Sequence, residues 1–221
     1  MTNPDEIYYS IALTRMVGFN QQIALQLYQT LGSSKAVYDH RNDIGDVIPD
    51  ATPRLREAMK NWDDALHRAA AEMEFVTKNK IRVLTLGDAD YPQRLSECPD
   101  APLLLYYKGS ADLNQRYVLN IVGTRHCTTY GQDLIRRFIT DLRTQCPQVL
   151  VVSGLAYGID VCAHNKALQQ GFETVGVLAH GLDQIYPYAH RDIAAKMLAQ
   201  GGLLTEYMSQ TEALPNNFRQ D

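Results

Sequence analysis

Closely spaced cysteines are missing from this sequence. Its four, Cys98, Cys127, Cys146 and Cys162, are scattered, with no Cys-x-x-Cys pair. That argues against a structural metal framework and fits free thiols in a reducing, cytoplasmic compartment. No apolar run reaches the roughly 20 residues that span a bilayer. The N-terminus, MTNPDEIYYS, lacks the basic-then-apolar layout of a secretory signal. A positive excess is absent too: 21 Lys and Arg stand against 25 Asp and Glu, a formal net charge of −4. A broadly basic coat for nucleic acid is therefore excluded. From Val118 onward eight Lys or Arg meet nine Asp or Glu, so any phosphate must be held by a local pocket. No repeat or low-complexity tract occurs. The phosphate-loop pattern Gly-x-x-x-x-Gly-Lys-Ser/Thr is absent as well.

What is present is a βαβ pattern centred on residues 117–164 of the 221. Two β-branched runs, Val118–Val122 and Val149–Val152, are short enough for buried strands, and each stops at a small-residue turn. Between them Leu134, Ile135, Phe138, Ile139 and Leu142 recur at the spacing of one helix face. Further on come a helix over residues 161–170 stopped by Gly171, a strand at Thr174–Leu178, a helix at Arg191–Gln200 stopped by Gly201-Gly202, and a strand at Leu203–Tyr207. This alternation predicts a doubly wound, mostly parallel, Rossmann-like α/β sheet. Upstream, residues 7–60 read as short helices, with turns at Gly18 and Gly32 and an N-cap at Ser33-Ser34. Arg54–Lys78 reads as one connector helix, IRVLTL (81–86) and LLLYY (103–107) as strands, and Gly87–Pro102 as a surface loop. The expected division is a small helical, SAM-like or helix-hairpin-helix-like domain with its connector over 1–78, then a Rossmann-like domain over 79–221. No helix covers the last strand before the sequence stops, so the sheet reads as incomplete.

The two strand-ending turns carry the chemistry. VGTRHCTTYG is not a dinucleotide fingerprint, because Arg125 stands where the second glycine must let backbone touch a pyrophosphate. The second strand ends in Ser153 rather than an acidic ribose ligand, so no NAD, FAD or ATP site is expected. Gly123 and Gly154 allow close approach, helix starts supply N–H groups, and Arg125 supplies a guanidinium, a combination that suits phosphate. The alternative for Arg125 is a structural ion pair. Asp160 reads as a cap or dipole partner rather than a catalytic base, with His164 one turn later as a possible partner. Ser153-Gly154 does not form a Gly-x-Ser-x-Gly elbow. Tyr157, Tyr186, Tyr188 and Phe218 lie near the rim, where rings stack on bases or simply pack.

IVGTR, SGLAYGID with Ala163-His164, TVGVL, GLDQIYP and GGLLTEY together resemble the DNA-processing protein A (DprA, or Smf) family, as do Tyr91-Pro92 and the Pro-x-Leu-x-Tyr-x-x-Gly of 102–109. The resemblance implies a protein, not an enzyme, that binds single-stranded DNA without sequence preference and without cofactor. It also implies loading of the RecA recombinase during natural transformation, with a homodimer in the full-length protein. It places Arg125 in the DNA pocket, with Gly123, Ser153 and Gly154 beside it, Lys166 on the following helix, and Phe218 just before the family's Arg-Asn-Arg segment. The sequence departs at Tyr157, often basic in relatives, at Ala179-His180, and at the Arg-Asn-Arg segment, since Phe218 is followed by Arg219-Gln220-Asp221. The implied dimer surface lies beyond that point. The rival is a nucleoside-monophosphate phosphoribohydrolase, whose Pro-Gly-Gly-x-Gly-Thr turn does not occur here.

Overall fold

The computed structural model describes residues 3–16, 21–49, 51–214 and 217. The chain divides into two units, Met1–Leu105 and Tyr106–Asp221, the boundary falling inside a strand. The predicted turn at Gly18 lies outside the described residues.

Helices α1 (Pro4–Arg15), α2 (Gln21–Leu31), α3 (Ser34–Asp39), α4 (Ile44–Val47), α5 (Pro53–Met59) and α6 (Asp63–Lys78) open the first unit. The starts of α1, α3 and α5 are capped by local side chains. Asn3 accepts from Asp5 N, Ser33 from Ala36 N and Thr52 from Leu55 N. Glu6 on α1 adds its carboxylate to the N–H groups of Ser34 and Lys35 at the head of α3. The single connector helix expected over 54–78 is two helices. The break after Met59 buries Trp62 to 2% exposure, edge-on to Tyr38 at 5.3 Å, while Asn61 caps Asp63 N. Burying the one tryptophan outweighs two or three more residues of helix. Strand β1 (Arg82–Thr85) follows. The expected loop 87–102 contains a short helix, α7 (Gln93–Ser96), and folds around buried Tyr91, whose hydroxyl donates to Pro102 O at 2.7 Å.

Strand β2 (Leu104–Gly109) leads into β3 (Tyr117–Asn120), α8 (Thr129–Gln145), β4 (Val149–Ser153), α9 (Ile159–Gln169), β5 (Thr174–Leu178), a 3₁₀ turn at Tyr188–His190, α10 (Arg191–Ala199) and β6 (Gly201–Thr205). The six strands lie in the order β1-β2-β6-β5-β4-β3, with β3 to β6 parallel and β2 antiparallel to β6. The sheet is thus mixed. The expected reversal of a doubly wound sheet is not found among these strands, because β3, β4, β5 and β6 follow one another in sequence order. Equal steps with right-handed crossovers put α8, α9 and α10 in one layer, and each indeed packs against the next. Ile139, Val149, Val151, Ala163, Ala167 and Phe172 fill one part of the interface between helices and sheet, and Leu178, Ile193, Met197 and Leu203 another.

Gly201 was expected as a helix stop, yet it opens β6. Its φ of +149° and a neighbour without Cβ let the Tyr107 ring lie against the strand, its hydroxyl donating toward Gly201 O and Ala111 O, both at 3.0 Å. No helix among the described residues is long and apolar enough to cross a membrane.

Candidate functional site

The carboxyl ends of β3, β4 and β5 come together around a cleft of about 420 Å³. Val122, Gly123 and Arg125 form one wall, Gly154–Tyr157 with Asp160 a second, and Val177–His180 with Tyr186 and Pro187 a third. Ligands of an α/β sheet collect at the carboxyl ends of its strands, where the helices that follow present their N-terminal N–H groups.

Two glycines lock the first two walls together. A Cβ on Gly123 would lie 2.7 Å from Ile159 Cβ, so that turn can sit directly on the start of α9. Gly158, at φ 83° and ψ −123°, is in a region closed to other residues. A Cβ there would overlap Thr124 O and reach Arg125 O at 2.7 Å, while Ile159 N donates to Thr124 O at 3.2 Å. The β3–α8 turn that carries Arg125 is therefore fixed by the β4–α9 turn.

Asp160 completes the lock from below. Only 7% exposed, its carboxylate sits near the backbone N–H groups of Ala156 and Gly123 and the Ser153 hydroxyl, which favour its charged form. Burial raises its pKa above the ordinary 3.8, opposed by those groups and by the positive charge of Arg125. A carboxylate of the protein itself thus lies beside the turns that were expected to hold an anion. For an acid with a raised folded pKa, the cost of the buried charge is fully present above that pKa and vanishes as pH falls toward 3.8. Wild type should accordingly gain stability relative to Asp160→Asn between about pH 7 and pH 4. Thermal melts of both proteins across that range check it; a difference that does not change with pH would contradict the buried carboxylate.

Three buried histidines hold the remaining walls. His164, fully buried, was expected as a partner of Asp160. It instead bonds Gly154 O through Nε2 and Thr174 Oγ1 through Nδ1, the latter at 2.7 Å. Burial drops its pKa to about 4, so the ring is neutral at neutral pH and carries its proton on Nε2, facing the carbonyl. His190 Nδ1 lies 2.7 Å from Leu155 O, and its ring meets Tyr157 edge-on at 4.8 Å. His180 faces Gly181 O with Nδ1 and accepts from Tyr186 N with Nε2. Isolated histidines carry no spacing signal, and none of these was legible as a wall support.

Of the residues singled out from the sequence, Gly123, Arg125 and Gly154 meet in the cleft. Ser153 lies beneath it, 3% exposed, with Oγ 2.6 Å from Ile121 O. Lys166 lies elsewhere, in a groove between α8 and α9. Phe218 lies outside the described residues. Tyr157 and Tyr186 are each 50% exposed at the cleft, and Val122 and Val177 present β-branched side chains there at 79% and 46%. A lone guanidinium on an exposed lip, apolar strand ends and two tyrosine faces match the chemistry of a nucleotide strand: phosphate at one end, ring faces at the other.

Residues 82–220 match the family model for DNA recombination-mediator protein A. The chain is 38% identical over 139 residues to DNA processing protein DprA of Streptococcus pneumoniae, an alignment covering 63% of this chain and 48% of that protein. The chain thus spans about half the length of that relative. The crystal structure of DprA from Streptococcus pneumoniae superposes with a TM-score of 0.74 at 31% identity, covering 96% of this chain and 71% of that one. A structure of DNA processing protein A from Helicobacter pylori, concerned with its single-stranded DNA binding mode, superposes with a TM-score of 0.55 at 25% identity, covering 63% of this chain and 61% of that one.

Proposed function

The chain belongs to the DNA recombination-mediator protein A family, and from that membership we propose that it binds single-stranded DNA in the cleft at the ends of β3, β4 and β5. The observation that carries the reading is Arg125, held exposed at the lip by the Gly158 lock, beside glycines and apolar faces and, among the described residues, with no other Lys or Arg lining that cleft. Arg125 grips a phosphate; Gly123 and Gly154 allow the strand to approach; Ser153 supports the turn from beneath; Tyr157 and Tyr186 meet bases. Phe218 joins this set through the family resemblance alone. Residues 79–221 are the DNA-binding domain and residues 1–78 a helical docking module. The role is mediation rather than catalysis: a cytoplasmic protein that covers incoming strands and hands them to the RecA recombinase in natural transformation, as a homodimer.

Stacking and phosphate contacts read no sequence, so labelled oligothymidine and mixed-sequence strands should bind alike, more tightly than a duplex of equal length, and ever more weakly as salt rises. Fluorescence anisotropy at several salt concentrations measures this. Preference for the duplex, or no salt dependence, would overturn the reading.

A further inference from the structure

Arg136 and Lys166 face a groove of about 370 Å³ between α8 and α9, lined also by Gln132, Gly158, Cys162 and Gln169. It opens at Gly158, the residue whose neighbours line the cleft and whose missing Cβ faces the carbonyls of Thr124 and Arg125. The α9 side of the groove is one helix face, 158, 162, 166 and 169, so its polar groups form a row leading away from the cleft. Opposite them, the Arg136 guanidinium is anchored on α8 by Asp133 Oδ1 at 3.0 Å and Gln132 Oε1 at 3.1 Å, and the Cys162 thiol spans the groove to Gln132 O at 3.8 Å. Asp133 takes up part of that charge. The Lys166 side chain makes no hydrogen bond or ion pair, and no carboxylate lines the groove, among the described residues. The lining is donor-rich, with two cations and amide side chains, and carries no ring to stack on a base.

From these features we infer that the groove between α8 and α9 is a second contact region for the phosphodiester backbone of the same strand. The strand leaves the cleft past Gly158 and runs along α9 toward Lys166. The inference rests on the proposed single-stranded DNA site in the cleft and adds its continuation. The rise of the helix from Ile159 to Lys166 is about 10 Å, the length of about three stacked nucleotides. The groove would therefore be reached only by strands longer than the cleft accommodates, and it would hold them by charge without reading bases.

Strand length separates the two sites. Oligothymidines of about 4 and about 16 nucleotides are compared by anisotropy at several salt concentrations. Arg136→Gln and Lys166→Gln should each weaken the longer strand about three- to fivefold, the range of an exposed ion pair, and lower its salt slope by about 0.7, leaving the shorter strand unchanged. Gln169→Arg adds a cation to the same row and should tighten the longer strand alone. Arg125→Ala should weaken both lengths. Thermal melts confirm that the surface variants fold. Groove variants that leave the longer strand as wild type, while Arg125→Ala still weakens it, would overturn the groove and spare the cleft. Unchanged binding of both lengths by Arg125→Ala would overturn the cleft reading itself.

Discussion

Gly158→Ala should cost the protein about 3 kcal/mol or more, a loss in the range that requires a named structural cause. Two costs add. A residue with a Cβ at φ 83° and ψ −123° is strained by about 1–3 kcal/mol. Its Cβ would also overlap Thr124 O and press on Arg125 O, both of which are backbone and cannot rotate away. Gly171→Ala serves as the matched control, because it too has positive φ, 75°, yet the nearest atom to its Cβ is the end of the Arg143 side chain at 3.9 Å. The control should lose only the backbone strain. For a chain of this length each kcal/mol moves the melting temperature by about 2–4 °C, so Gly158→Ala should melt about 6–12 °C below wild type and well below the control. It should also bind single strands poorly even where it is folded, since relief of the clash must displace the turn that carries Arg125. Equal melting temperatures for the two alanine variants would show that the turns are not locked together as described.

The glycine at 158 was visible in the sequence as part of SGLAYGID, but its reason was not. The contact it permits joins residues more than thirty positions apart, and periodicity reads only neighbours. The same limit separates what was legible from what was not throughout the second unit. The strands and helices from Tyr117 to Thr205 followed from β-branched runs, from the apolar face of α8 and from glycine stops, all local signals. The order of the strands did not follow, because nothing in a strand's own residues says which neighbour it takes. Antiparallel pairing of β2 with β6 turns on Tyr107 lying over Gly201 and Gly202, again a distant pair. In the helical unit the break before α6 escaped notice because Ala, Glu, Leu and Met favour helix on both sides; burial of Trp62 decided it.

The candidate site shows the same division. Arg125, Gly123 and Gly154 were legible because small residues at strand ends beside a cation suit an anion. The role of Asp160 was not, since Gly123 and Ala156 come beside its carboxylate only once the two turns meet. Its presence changes the physics of the cleft. A buried carboxylate sits beside the backbone N–H groups of the two turns and near the guanidinium, so phosphate affinity depends on the Arg125 side chain more than on the turns.

Arg125→Ala should therefore weaken single-stranded DNA binding by about 1.5–3 kcal/mol, the value of a hydrogen bond to a charged group, or roughly ten- to a hundredfold. Among the described residues no second Lys or Arg lines the cleft to compensate. The salt slope should fall by about 0.7, one phosphate contact on a single strand. The loss should be the same for oligothymidine and for mixed sequences, because a phosphate contact carries no base information. Arg125→Lys separates charge from geometry: an ammonium keeps the counterion released at that phosphate and so restores the slope, but it cannot make the paired hydrogen bonds of a guanidinium and should recover only part of the affinity. The side chain is exposed, so both variants should melt close to wild type. Removing the positive charge also withdraws one of the influences that lower the Asp160 pKa, so the alanine variant should show a stronger gain in stability toward acid than wild type does. Anisotropy titrations at several salt concentrations, with melts at several pH values, measure all of this on the same three proteins. An Arg125→Ala protein that folds normally and binds both kinds of strand as wild type does would place the DNA site somewhere other than this cleft.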